Sequence, residues 1–229
     1  MAIPASSAIP LDEDLTDAQA MGIAQGLTAH YLACSAYVAG PGATALVHAA
    51  AGGVGLQLVQ ILRILRARSI AAVSSPEKAL VARLHGADEA IVYAEGDFAE
   101  RARGLTGGEG VDVVYDGVGA DTFVRSLAAL RRRGCLINYG NSSGPTPLLD
   151  IRELTAQGSV SLMRPSLRDY ISTREELEQR VRDLVAWIRA GSLQVVVGGV
   201  YALAEAAKAH EALEARRTTG KIYLRMNPA

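Results

Sequence analysis

Short apolar runs alternate with amphipathic segments along most of the chain. The runs have the length of buried strands, whereas the segments between them place apolar residues three and four positions apart, as amphipathic helices do. The predicted strands cover residues 45–49, 69–73, 89–93, 111–115, 135–139 and 160–163. Strands that alternate with helices predict an α/β fold, a doubly wound parallel sheet of about six strands with helices on both faces.

A glycine-rich turn follows the first predicted strand and leads into a helix predicted over residues 54–66. In the dinucleotide-binding fingerprint G-x-G-x-x-G, the glycine positions correspond here to Ala50, Gly52 and Gly55. An alanine replaces the first glycine, but strand, turn and helix follow in the required order. Backbone N–H groups at a helix start bind anions, so the turn predicts a pyrophosphate site. The alternative is an ordinary Gly-rich turn between a strand and a helix.

Residues at the end of the second predicted strand favour NADPH over NADH. Proteins that bind NAD place an Asp or Glu about 20 residues beyond the glycines, where it holds the ribose hydroxyls. Here that position holds Ser74 and Ser75, and the first acid is Glu77. Small hydroxyls and the cation Lys78 suit a 2′-phosphate, so NADPH is expected. The alternative is that Lys78 is an ordinary solvated helix lysine.

Composition and charge give no reason to expect a nucleic acid, a membrane or a metal as partner. The net charge of −1 gives no reason to expect nucleic acid, and the basic clusters at 131–133 and 216–217 are interpreted as solvated helix ends. No apolar run reaches the ~18 residues of a membrane span, and no signal peptide is evident. Cys34 and Cys135 offer neither zinc spacing nor a disulfide framework. A cytoplasmic protein without a bound metal or membrane contact is the expectation.

Several motifs occur in a specific order along nearly the whole chain. The glycine turn reads HAAAGGVG from His48, and the other motifs are GLTA from Gly26, VYDGVG from Val114, YGNSSG from Tyr139, RPSL from Arg164 and YISTREEL from Tyr170. Together they resemble the quinone oxidoreductases, the zeta-crystallin-like, zinc-free branch of the medium-chain dehydrogenases. The resemblance implies a Rossmann-type sheet, NADPH as cofactor and reduction of a small-molecule quinone or enone without zinc.

The resemblance also implies a set of cofactor-binding residues. In chain order they are Thr28, Gly52, Gly53, Val54, Ser75, Lys78, Tyr93, Tyr139, Gly140, Asn141, Ser142 and, as a further phosphate or ribose contact, Arg216. The glycine turn would contact the pyrophosphate, Ser75 and Lys78 the 2′-phosphate, and Tyr93 the adenine end. Thr28 and the residues after the fifth strand would border the nicotinamide half. We assign no catalytic residue, and Asn141 is the candidate for polarising a substrate.

Members of this family begin with a separate barrel-like domain, which this sequence is expected to lack. We divide the chain into an exposed lead-in and helix over residues 1–36, a dinucleotide-binding domain over 37–193, and a segment over 194–229 that would contact the absent domain. The function expected is an NADPH-dependent quinone or enone reductase. The alternative is a truncated NADPH-binding module without turnover on its own.

Two segments are expected at sheet edges. One is a strand over residues 194–200, and the other is the strand that begins at Val160 and ends at Met163. An exposed apolar edge strand pairs readily with another chain. Because related proteins form dimers through the second of these edges, we expect a homodimer there.

Overall fold

The structure is a computed structural model that describes residues 8–11 and 13–226. Part of the predicted lead-in, residues 1–7 and 12, therefore lies outside the described residues. The helices are α1 Asp17–Tyr31, α2 Gly53–Ile64, α3 Pro76–Leu84, α4 Phe98–Leu105, α5 Phe123–Ala129, α6 Arg152–Ala156, α7 Leu167–Tyr170, α8 Arg174–Arg189 and α9 Ala206–Glu214. The strands are β1 Thr44–His48, β2 Arg68–Val73, β3 Glu89–Val92, β4 Val111–Asp116, β5 Leu130–Asn138, β6 Ser161–Met163, β7 Val197–Ala202 and β8 Lys221–Arg225.

Strands β1 to β6 form one parallel sheet in the order β3-β2-β1-β4-β5-β6. This is the strand order of a doubly wound dinucleotide-binding sheet, and it confirms the predicted fold class. The order reverses between β1 and β4. In sheets of this kind the carboxyl ends of the strands at the reversal open a crevice that binds ligands.

The central strands are covered by apolar layers on both faces. Val47 of β1 and Val113 of β4 pack into one buried cluster with residues of α1, α2 and α8. Leu46 and Val114, their neighbours along the same strands, point to the opposite face and pack with residues of α4 and α5. Burial of each such side chain contributes ~1.5–3 kcal/mol, so the sheet is a firm support for the loops at its edge.

Side-chain caps define where several helices begin. Thr16 and Gln19 form a capping box at the start of α1. Ser75 caps α3, whose first residue is Pro76, as the sequence predicts. These caps satisfy N–H groups that a helix leaves without partners. In the described part of the chain, no helix is both long and apolar enough to span a membrane.

The stretch that joins α5 to β5 differs from its prediction. The predicted helix reaches Arg131, whereas α5 ends at Ala129 and β5 begins at Leu130. The pairing of β4 with β5 shifts register here, and Arg131 Nε donates to Asp112 Oδ1 at 2.6 Å. An ion pair with the neighbouring strand therefore fixes part of this basic cluster. Residues 131–133 belong to a strand and are not a solvated helix end.

The predicted edge strand over residues 194–200 lies elsewhere than at the edge of the main sheet. It forms as β7, which pairs in parallel with β8 in a separate two-stranded sheet. The buried amide of Gln60 in α2 bonds to both backbone groups of Gln194, at 3.0 Å and 2.7 Å. The chain is thereby held over α2, and Gly220 N donates to Ala51 O at 2.8 Å. This small sheet therefore begins beside the glycine turn.

Candidate functional site

The turn between β1 and α2 presents uncapped backbone N–H groups. Gly52 is the N-cap of α2, and no side chain among the described residues caps this helix. The Gly52 N–H donates to Ala49 O at 2.9 Å, which closes the turn. The donors that are left belong to Gly53, Val54 and Gly55, the first residues of the helix. Together with the positive end of the helix dipole, they form an anion site.

A close contact with backbone requires one glycine of this turn, Gly55. A Cβ at Gly55 would lie 2.6 Å from Ala50 Cα, because α2 packs directly on the backbone of the turn. A Cβ at Gly53 would meet the side-chain amide of Gln25 from α1, the end of a flexible side chain that can shift. Gln25 Oε1 is buried and has no hydrogen-bond partner among the described residues. The turn is a cradle of backbone N–H groups, the kind of donor arrangement that binds anions at helix starts.

A cleft of about 340 Å³ opens at this turn. Its wall is formed by residues at or after the ends of strands β1 to β5, by the last turn of α9 and by the chain segment that follows it. The residues that line it are Ala49, Ala51, Gly52, Val73, Ser74, Lys78, Tyr93, Val118, Ser142, Leu213, Glu214, Arg216 and Thr218. The cleft therefore lies at the carboxyl edge of the sheet, where the topology predicts a ligand site.

Five of the predicted cofactor-binding residues lie in the wall of this cleft, namely Gly52, Lys78, Tyr93, Ser142 and Arg216. Lys78 and Arg216 are 138 positions apart in the sequence, yet Lys78 Nζ donates to Arg216 O at 2.6 Å. The fold thus brings together two cations that were expected to contact phosphate. Burial lowers the pKa of Lys78, and the nearby charge of Arg216 lowers it further.

The other predicted residues lie next to the cleft or away from it. Ser75 accepts a hydrogen bond from Lys78 N at 3.4 Å as the cap of α3, and Ser74 is the serine in the cleft wall. Gly53 and Val54 begin α2 beside the wall. Thr28, half-buried on α1, and residues 139–141 after β5 are outside this wall.

The loop after β5 is packed firmly against the loop after β4. A Cβ at Gly117 would lie 2.8 Å from Tyr139 Cζ, so the tyrosine ring rests on a bare backbone. Arg164 Nη1 donates to Gly140 O at 3.1 Å and to Asn138 Oδ1 at 2.6 Å. Burial raises the pKa of Tyr139, which keeps its hydroxyl neutral. The predicted nicotinamide-side loop is therefore supported by Asn138 and Arg164, neither of which was predicted as a site residue.

A buried polar network underlies the cleft. His48 Nδ1 lies 2.8 Å from the Tyr93 hydroxyl, and His48 Nε2 lies 2.9 Å from Ser126 Oγ. Ser126 Oγ donates to Asp116 Oδ2 at 3.3 Å, and Asp116 Oδ1 accepts the Val118 N–H at 2.8 Å. Burial lowers the pKa of His48, so its ring is neutral. The network joins two residues of the cleft wall, Tyr93 and Val118.

Comparison with known proteins identifies the family. A family model described as zinc-binding dehydrogenase matches residues 85–224, more than half of the chain. The chain belongs to this zinc-binding dehydrogenase family.

Relatives within the family include quinone reductases. The chain is 44% identical over 200 residues to a quinone oxidoreductase of Pseudomonas aeruginosa, and 42% identical over 218 residues to a 2-haloacrylate reductase of a Burkholderia species. It matches the structure of Escherichia coli quinone oxidoreductase complexed with NADPH with a TM-score of 0.93 and 42% identity, over 96% of this chain and 68% of that one. These matches confirm the resemblance to quinone oxidoreductases.

The chain spans less than two thirds of the length of the curated relatives. The match covers 87% of this chain and 62% of the Pseudomonas protein. For the Burkholderia protein the shares are 94% and 66%.

No metal site is present in the described part of this zinc-binding dehydrogenase homologue: no three His, Cys, Asp or Glu side chains there lie close enough together to hold an ion. Burial raises the pKa of Cys34 to about 11 and also raises the pKa of Cys135. Both cysteines are free, and both are kept as neutral thiols near neutral pH.

Several residues of the cleft wall were missed by sequence reasoning. Val73 and Val118 follow from the rule that strand ends meet at one edge, so a signal for them existed. Leu213, Glu214 and Thr218 come from the C-terminal segment, and no local pattern marks them as neighbours of the glycine turn.

Proposed function

We propose that this family member binds NADPH in the cleft and reduces a small-molecule quinone or enone. The observation that carries the proposal is the anion cradle at Gly53, Val54 and Gly55, with the cations Lys78 and Arg216 in and beside the same cleft. The names of the relatives support it, since they are quinone oxidoreductases and a 2-haloacrylate reductase.

The proposed contacts follow the chain around the cleft. The backbone of Gly52, Gly53 and Val54 takes the pyrophosphate. Because the Gly52 N–H already bonds within the turn, Gly53 and Val54 are the donors and Gly52 supplies the close approach. Ser75, Lys78 and Arg216 take the 2′-phosphate and its ribose, and Tyr93 borders the adenine. The nicotinamide half is bordered by the remaining predicted residues, Thr28, Tyr139, Gly140, Asn141 and Ser142.

NADPH supplies the hydride or electrons when bound, and the protein supplies orientation and a dry pocket. The packing of Tyr139 on Gly117 fixes the loop that would face the reacting ring. Asn141, on this loop, is the proposed hydrogen-bond donor to a substrate carbonyl. No general base is proposed, because Asp116 is fully buried and its carboxylate is already hydrogen-bonded to Val118 N and Thr122 Oγ1.

Two assays on the same preparation test this function. NADPH binding is followed by nucleotide fluorescence, and turnover by NADPH oxidation with 1,4-benzoquinone. Saturable binding with oxidation that depends on quinone is the expected result. Binding without oxidation would support the alternative, a nucleotide-binding module that has no turnover on its own. A protein that binds no NADPH would contradict both.

We also propose a homodimer through the β6 edge of the sheet. The strand is one residue shorter than predicted, since it begins at Ser161 and Val160 is buried before it. Leu162 on this edge strand is 38% exposed, and Leu148 and Ile151 are exposed in the segment that precedes it. Apolar side chains on an unpaired edge favour pairing with a second copy.

A further inference from the structure

The segment that follows α9 crosses the end of β1 as a strap, which we define as residues 215–219. On one side, Lys78 of α3 bonds through Nζ to Arg216 O at 2.6 Å. On the other side, Arg216 Nη2 lies 3.3 Å from Asp121 Oδ2, just before α5. These two anchors follow β2 and β4, which flank β1 in the sheet. The strap therefore spans the crevice from one side to the other.

The end of α9 fixes where the strap begins. Arg216 has a φ of 55°, and the Arg216 and Arg217 N–H groups donate to Leu213 O at 2.9 Å and Ala212 O at 3.1 Å. These are the bonds of a Schellman motif, which ends a helix on a left-handed residue. Immediately after the strap, Gly220 N donates to Ala51 O at 2.8 Å, which attaches its end to the glycine turn. The strap is thus held at Arg216 on both sides of the cleft, and at its end by Gly220, the residue that follows it.

Both contacts engage cationic groups, Lys78 and Arg216, that a phosphate would also bind. The Lys78 ammonium bonds to a neutral carbonyl, and the Arg216 guanidinium is paired with a carboxylate whose side chain is 57% exposed. Burial lowers the pKa of Lys78, and the charge of Arg216 lowers it further, as expected of two cations that lie close together. A dianionic phosphate between them would relieve this repulsion, which a neutral carbonyl relieves only weakly.

We propose that two contacts form a latch that holds the strap across the cleft, namely the ion pair of Arg216 with Asp121 and the hydrogen bond from Lys78 to the Arg216 carbonyl. The 2′-phosphate of the cofactor competes with Asp121 for Arg216 and with the carbonyl for Lys78. This inference rests on the proposed binding of NADPH. It makes Asp121 a determinant of cofactor affinity that acts against the phosphorylated nucleotide, because its carboxylate pairs with the Arg216 guanidinium that the phosphate would otherwise bind. NADH, which lacks this phosphate, does not enter the competition.

Nucleotide titrations test the latch. Asp121→Asn removes the charge and keeps the shape of the side chain. An exposed ion pair contributes up to ~1 kcal/mol, so NADPH affinity should rise about two- to fivefold at low salt while NADH affinity stays unchanged. The matched control is Asp150→Asn, which removes the carboxylate of another exposed ion pair, the one between Asp150 and Arg152. The control should leave both affinities unaltered.

A second readout needs no cofactor. Trypsin cleaves after Arg216 and Arg217, and an opened strap exposes this backbone more often. Without nucleotide, Asp121→Asn should be cut there several-fold faster than wild type or Asp150→Asn, as seen by mass spectrometry of the fragments. Equal cleavage rates would overturn the latch.

The outcomes separate this inference from the proposed function. Wild-type protein that binds no NADPH contradicts the function. NADPH binding that Asp121→Asn leaves unchanged, or strengthens equally for NADH, overturns the latch alone. In an Arg216→Ala background the Asp121→Asn change should have no effect on NADPH affinity, because the carboxylate then has no cation to withhold.

Discussion

On the proposed function, Lys78 is the side chain that distinguishes the two nicotinamide cofactors. Lys78 lies in the cleft wall, and its ammonium donates to Arg216 O at 2.6 Å. A charge-assisted hydrogen bond to phosphate contributes ~1.5–3 kcal/mol, so Lys78→Ala should lower NADPH affinity about tenfold or more. NADH affinity should stay nearly intact, as measured by fluorescence titration.

The control for Lys78 is Lys208→Ala. Lys208 is an exposed lysine on α9 that pairs with Glu205 and does not line the cleft. Its variant should bind both nucleotides as wild type does. Equal losses of NADPH and NADH affinity in Lys78→Ala would refute the assignment of this residue to the 2′-phosphate.

His48 makes stability depend on pH. Burial lowers its pKa below the ordinary 6.5, and burial also lowers the pKa of His30. Above pH 6.5 both the folded and the unfolded histidines are neutral, so the full stability is present. Below it the unfolded chain binds protons that native His48 excludes, and the free energy of unfolding falls until the lowered pKa is reached. Urea unfolding at several pH values measures this fall.

His48→Gln isolates that contribution from the carboxylates, which also titrate in acid. The variant loses hydrogen bonds to Tyr93 and Ser126, so it should be less stable than wild type at about pH 7.5. Because glutamine does not titrate, the difference in unfolding free energy should shrink as the pH is lowered. A difference that stays constant or widens would show that His48 is not the titrating group.

The alanine at the first position of the glycine fingerprint is tolerated for a conformational reason. The left-handed residue of the turn is Ala49, with a φ of 49°, while Ala50 does not have a positive φ. A Cβ at residue 50 therefore needs no special backbone geometry. The sequence predicts the turn correctly from its context, although the pattern itself is broken.

At the scale of elements, the closeness of α2 to the sheet depends on Gly55. A Cβ there would lie 2.6 Å from Ala50 Cα and would push the helix away from the turn. Gly55→Ala should therefore lower the free energy of unfolding by ~1–3 kcal/mol and weaken NADPH binding. Thermal unfolding and nucleotide titration measure the two effects.

Gly104→Ala is the matched control, since Gly104 is also a helical glycine but a Cβ there would meet nothing within 4 Å. Alanine favours the helix by ~0.5–1 kcal/mol, so this variant should be slightly more stable than wild type. If both alanine variants behave alike, close packing is not the reason for Gly55.

Sequence reasoning predicted the type of each element in the main sheet better than it predicted where each element begins and ends. Helix α4 has its predicted bounds, because Asp97 caps its start and a glycine-rich stretch follows its end. The junction of α5 and β5 was wrong by several residues, since Arg131 pairs with Asp112 on the neighbouring strand. A local pattern contains no information about a partner that lies on another strand.

At the scale of the whole molecule, the proposed dimer depends on the β6 edge. Light scattering should give about twice the chain mass of 24.1 kDa for the wild type. Leu162→Lys places a charge on the edge strand and should shift the mass toward that of one chain. Leu84→Lys is the control, because Leu84 is 71% exposed on α3, near the opposite edge of the sheet. A wild-type mass of one chain at micromolar concentration would contradict the proposal.

The order of strands and helices, the parallel sheet and the glycine turn between β1 and α2 were all predictable from the amino-acid sequence. These features depend on local periodicity and on backbone N–H groups, which neighbouring residues specify. The position of Arg216 beside Lys78, and the departure of β7 from the main sheet over Gln60, became visible only in the folded chain. Contacts between distant residues depend on how the packed sheet and helices arrange the chain in space, and local periodicity does not encode that arrangement.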